Sequence, residues 1–208
     1  MAKQMGEDII RKLHQMLSYL HLIIDDVIYD EHARRAFANN AFDGALTFLG
    51  ILMGNLILNE FHPPEVIQVG LSTCLAIGMS GAFGRFLSER SERKRALRQI
   101  EKDLLNDLSG TSLEREGQRK MVIISLIDGV SPALAAAFPL LPFFLAKASI
   151  IPVSVSIVAS FALVFIVLFG LGVFLGKTSE ENSLLYGVLT VAVGFITSVM
   201  IFAASIYF

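Results

Sequence analysis

Five separate stretches of about twenty predominantly apolar residues decide what this chain can become. A run of that length matches a bilayer core of ~30 Å. Inside hydrocarbon every backbone N–H and C=O must be satisfied within the protein, which leaves helices or closed barrels. The apolar residues come in blocks and not in the alternation that a barrel strand needs, so helices are predicted. Composition agrees: 54% of the 208 residues are hydrophobic and 17% charged, against about 25% charged in a soluble domain. Mean hydropathy is +0.63. The fold class expected is all-α, an integral multi-pass membrane protein with five transmembrane helices. They are predicted at Phe37–Leu58, Val66–Leu87, Met121–Leu145, Ile150–Leu175 and Leu184–Phe208. Four regions follow: 1–35, a cytoplasmic amphipathic helix; 36–87, helices one and two; 88–120, a short cytoplasmic helical insert; 121–208, helices three to five.

Basic residues set the direction of insertion, because Lys and Arg are retained on the cytoplasmic side. The N-terminal segment carries Lys3, Arg11, Lys12, Arg34 and Arg35, and the insert carries nine more. The connection "NEFHPPE" at Asn59–Glu65 has none. The N-terminus is therefore predicted in the cytoplasm and the C-terminus outside. The location follows: the cell membrane, if the source is prokaryotic.

Two Asp-Gly pairs interrupt the hydrocarbon, in "AFDGALTFLGILMG" and in "IDGVSPALAAAFPLLPFF". Asp43 and Asp128 each lie about seven residues into a span that runs outward, so both are predicted at similar depth toward the cytoplasmic side. On the first span Asn40, Asp43, Thr47, Gly50 and Gly54 recur at helical spacing; on the third, Ser125, Asp128, Ser131 or Pro132, and Ala135 do. Small-residue stripes mark the second span (Gly70, Cys74, Gly78, Gly81) and the fifth (Gly187, Thr190, Gly194, Thr197), as close helix packing in lipid requires. An intramembrane carboxylate costs at least ~2.5–3.5 kcal/mol at mid-bilayer and is a functional candidate by default. Carboxylate, hydroxyl and amide oxygens together suit hard or borderline divalent cations, and a carboxylate can exchange a metal for a proton. Asp43, Asp128, Asn40 and Thr47 are thus the candidate metal ligands. Helix N-capping near the interface accounts for both Asp residues without a site. Pro132, Pro139 and Pro142 predict a kinked or broken third span, with or without a cavity beside it.

These motifs resemble those of the vacuolar iron transporter family. "RAFANNAFDGALTFLGILMG" from Arg35 is similar to that family's first span, "AAAFPLLPFF" from Ala135 to its third-span Pro-Leu-Leu-Pro segment, and "LLYGVLTVAVGFITSVMIFAASIYF" to its last. The resemblance runs from Arg34 to the C-terminus. It implies a homodimer that moves Fe2+ or Mn2+ out of the cytosol in exchange for protons, along a path between protomers lined by Asp43. Phe42 stands where the family has Asn before the first Asp-Gly. In "GAFGRFLSE", Gly81 and Arg85 stand where it has Met and Glu. Arg85 would repel a cation unless paired, and Asp43 or Asp128 is in position to pair with it.

In the insert, Glu89 and Glu92 are at a chelating helical offset and read as a reduced cation-capturing arm. Seven acids there face ten Lys/Arg with Arg85 included, which favours a solvated helix laced with ion pairs. Ser88–Leu108 is predicted to continue the second span, and Thr111 to cap a fresh helix in capping-box spacing with Glu114. Upstream, Ile9, Leu13, Met16, Leu20, Ile23 and Val27 step along one helical face. No Ser-His-Asp grouping, phosphate loop or paired-His motif marks an enzyme, and nothing points to nucleic acid. The single cysteine, Cys74, rules out an internal disulfide and a multi-thiolate site. Two functions remain: a divalent-metal transporter, with no permanently bound cofactor, and a dimeric membrane scaffold in which Arg85 forms a structural ion pair.

Overall fold

The computed structural model describes residues 31–105 and 111–207. The amphipathic stretch of residues 1–30 and the insert's 106–110 lie outside the described residues. Described residues form helices α1 (Glu31–Leu58), α2 (Pro63–Leu104), α3 (Ser112–Ala137), α4 (Leu141–Lys147), α5 (Val153–Thr178) and α6 (Ser183–Ser205). A single 3-10 turn, Phe138–Leu140, joins α3 to α4. No strand occurs among the described residues. Five spans are long and apolar enough to cross a bilayer, the third being α3 and α4 together.

Local chemistry explains where the helices start and stop. Pro63 and Pro64 occupy the first helical positions of α2, where the missing N–H costs nothing, and Glu65 in that first turn complements the helix dipole. The second span, expected from Val66, thus starts three residues earlier, inside the Asn59–Glu65 connection. The 42 residues of α2 span about 63 Å at 1.5 Å per residue, twice the hydrocarbon thickness. Its polar half, beyond Leu87, therefore projects from the membrane as one continuous rod until Leu105 closes it in the left-handed conformation (φ 51°). α3 begins directly after Thr111, whose carbonyl accepts from Arg115 N. α6 is capped by Asn182, whose side chain accepts from Leu184 N (3.1 Å) and Leu185 N (3.2 Å).

The proline-rich third span is broken and not merely kinked. Ser160 of α5 donates to the carbonyl of Pro139 at 2.7 Å, satisfying backbone polarity at the break. Pro139, Leu140, Pro142 and Phe143 are buried there, so the break is packed against protein and opens no cavity of its own.

α1 is the hub, in contact with α3, α5 and α6. Phe48, Leu49 and Leu52 of α1 meet Leu140, Phe143, Val164 and Leu168 in the core. α2 packs chiefly on the third span, and α6 on α5 and α1. At the α5–α6 contact, Thr190 donates across to the carbonyl of Leu168 at 2.8 Å. The outward faces are hydrocarbon: Leu75 and Val158 are each 70% exposed and Met200 67%. Such a surface belongs in lipid. This is the architecture of a multi-pass helical membrane protein.

Candidate functional site

Two helix contacts build the site, and each hinges on the glycine of an Asp-Gly pair. A methyl on Gly44 would collide with the backbone of Pro132, lying 2.7 Å from its Cα and carbonyl carbon. A methyl on Gly129 would lie 2.7 Å from the Cβ of Ala82, and Gly81 backs onto the Asp128 carbonyl. Only glycine lets α1 and α2 press this closely on opposite sides of α3. Each aspartate, one residue before its glycine, is thereby held beside the contact. The capping reading falls on position: Asp43 is about three turns inside α1 and Asp128 more than four inside α3.

The result is one open cleft of about 440 Å3, with α1 and α2 as walls and α3 as floor. Asn40 and Asp43 line it from α1, Ala76, Ile77, Ser80 and Gly81 from α2, and Asp128 and Pro132 from α3. Both aspartates of the sequence analysis therefore share it. Asp128 is buried, with 9% of its surface exposed. Its Oδ1 accepts from Asn40 Nδ2 at 2.8 Å, and its Oδ2 lies 3.5 Å from Arg85 Nε. Asp43 is exposed on the cleft's open side; among the described residues its carboxylate has no hydrogen bond or ion pair. Pro132 has no N–H to offer the carbonyl of Asp128 four residues earlier, which leaves that oxygen without its helical donor.

The remaining candidates separate. Thr47 is exposed one turn beyond Asp43, and its hydroxyl donates to Asp43's carbonyl at 2.8 Å. Ser125 and Ser131 turn inward and donate to carbonyls of their own helix, Met121 and Ile127, at 2.7 Å each, so they do not line the cleft. Arg85 pairs with Asp128, the second of the two partners the sequence offered. Its Nη2 also holds Glu89 Oε1 at 3.2 Å, and Glu89 Oε2 is 3.4 Å from Arg93 Nε. Glu89 is thus engaged by two guanidiniums, whereas Glu92 is exposed and lines neither cleft. Among the described residues no three His, Cys, Asp or Glu side chains gather into a metal-binding group. Ser80 was missed by sequence reasoning; its one signal was a hydroxyl set between Gly78 and Gly81.

A second, larger cleft of about 630 Å3 lies where the start of α1 meets the end of α5, lined by Arg34, Arg35, Asn39, Thr178 and Glu180 among others. Phe37 and Phe174 meet edge-to-face at 5.9 Å between centroids one turn deeper. It holds neither aspartate.

Fold and site together define a class: a multi-pass helical membrane protein with two carboxylates in a cleft among its first three spans. The chain is 30% identical over 182 residues to an uncharacterized protein of Methanocaldococcus jannaschii, covering 86% of this chain and 92% of that one. It belongs to the same family as that archaeal protein. No family model and no solved structure matches the chain.

Proposed function

We propose that the protein exports a divalent metal, Fe2+ or Mn2+, from the cytosol in exchange for protons, and that it works as a homodimer. One observation carries the reading: Asp43 and Asp128, from different spans, line a single cleft. Asp43 is exposed between apolar helices and has no hydrogen bond or ion pair among the described residues, so within a membrane its charge calls for a cation or proton. Asn40 and Ser80 supply further oxygens of the kind that hold hard and borderline cations. The cleft is open on one side, so a second copy of the chain completes the enclosure and brings its own carboxylates. In the cycle, a cytosolic ion loads onto deprotonated Asp43 and Asp128, and protons from outside displace it. The orientation rests on the basic residues of the N-terminal segment and the insert.

The test is metal flux in proteoliposomes. Asp43→Asn and Asp128→Asn should each abolish Mn2+ export while leaving a monodisperse, folded protein. Unchanged flux in Asp43→Asn would remove Asp43 from the mechanism.

The Arg85–Asp128 contact at 3.5 Å favours a second reading, a scaffold held together by an intramembrane ion pair. Exchanging the two charges decides between them. A swapped protein that regains full stability and assembly, with no metal phenotype in either single variant, is a scaffold.

A further inference from the structure

Arg85 lies beside the cleft's Asp128, with two carboxylates in reach. Its contact with Asp128 is a charge contact only: Nε is buried yet forms no hydrogen bond, and it lies 3.5 Å from Oδ2. Asp128 Oδ1 is already committed to Asn40. The other end of the guanidinium holds Glu89 at 3.2 Å, and Glu89 is held in turn by Arg93 at 3.4 Å. Arg85, Glu89 and Arg93 follow one another at i, i+4 and i+8 along the same face of α2. Charges therefore alternate along a row that starts at Asp128 in the cleft and runs out onto the projecting half of α2. The guanidinium already touches its alternative partner, one turn farther from the cleft.

Building on the exporter reading, we infer that the Arg85 guanidinium is a tethered competitor for the ion position at Asp128. It neutralises that carboxylate while the cleft is empty and withdraws onto Glu89 when a divalent cation enters. A dication and a guanidinium repel each other, so both cannot hold Asp128 Oδ2 at once. Arg85 therefore sets how tightly the cleft holds its ion, and Glu89 sets how readily Arg85 leaves. A tethered positive charge also spares Asp128 from lying unneutralised between loads, which an intramembrane carboxylate tolerates poorly.

Two neutralising variants should act in opposite directions, which a merely structural ion pair would not produce. Mn2+ binding is measured by calorimetry on the full chain in detergent. Arg85→Gln should bind Mn2+ at least tenfold more tightly than wild type, about 1.4 kcal/mol. Arg85→Lys, which keeps the charge, should stay near wild type. Glu89→Gln should bind several-fold more weakly, because Arg85 loses its second partner. In an Arg85→Gln background Glu89→Gln should change nothing, since Glu89 acts through Arg85. Equal or weaker binding by Arg85→Gln overturns the inference and leaves the exporter reading standing if wild type binds Mn2+ through Asp43. Should Arg85→Gln alone bind, Arg85 locks the site and does not yield it, and both the tethered competitor and the wild-type exporter fall. If neither protein binds Mn2+, both fall.

Discussion

The contact between Gly44 and Pro132 sets the distance between the two carboxylates, and one methyl group tests it. In Gly44→Ala the new Cβ would lie 2.7 Å from the Cα and carbonyl carbon of Pro132, and ordinary contact begins at 3.4 Å. The carbonyl oxygen of Pro132 is nearer still, so helices α1 and α3 must part by more than the 0.7 Å between those two distances. Both sides of the contact are backbone, so no rotamer change relieves it. Overpacking of this kind costs about 1–3 kcal/mol. Alanine also favours helix over glycine by about 1 kcal/mol, which a control removes. Gly170→Ala, in α5, has open space around the added methyl and shares the propensity gain without the clash. The difference between the two variants isolates the clash. For a chain of 208 residues it should appear as a melting temperature about 2–12 °C lower for Gly44→Ala than for Gly170→Ala. The assay is thermal unfolding of the purified protein in one detergent, followed by tryptophan-free fluorescence dye or circular dichroism. Because Asp43 adjoins Gly44 and Asp128 is one turn from Pro132, Mn2+ binding should weaken in Gly44→Ala as well. Equal melting of the two variants would refute the claim that backbone contact at Gly44 positions the cleft.

Three further outcomes are expected. Asn182→Ala removes the acceptor of Leu184 N and Leu185 N and should cost about 1 kcal/mol, read as a lower melting temperature with unchanged metal binding. Thr190→Val deletes the hydroxyl that donates to Leu168 O; interhelical hydrogen bonds in membranes average about 0.6 kcal/mol, so denaturant titration should show a small loss. Cys74 is buried, with 6% exposure, and should resist a membrane-permeant maleimide until denaturant is added, as mass spectrometry of the intact chain will report.

Several elements were legible in the residues themselves. The spans follow from apolar runs, since hydrocarbon admits only a backbone that bonds within itself. The continuation of α2 past Leu87 was visible in helix-forming residues, but it closes at Leu104–Leu105 and not at the expected Leu108. The small-residue stripe at Gly70, Cys74, Gly78 and Gly81 does face the third span, and the one at Gly187 and Gly194 is buried against α5. The break at Pro139–Pro142 was visible as proline chemistry, but its packing against Ser160 was not, because a serine 21 residues away carries no local sign of its partner.

Sequence by itself determined how many times the chain can cross a membrane and which residues are chemically unusual there. Asp43, Asp128 and Arg85 stand out in hydrocarbon whatever the fold. Only the tertiary structure decided that Asn40 and Asp43 line a cleft with Asp128 while Thr47 stays exposed beyond it, and that Arg85 turns to Asp128. The reason is physical. In water an apolar stripe marks the buried face of a helix, whereas in lipid the buried and the exposed faces are both apolar. Rotation of each helix about its axis is then settled by where glycines allow backbones to meet, and that is a property of helix pairs.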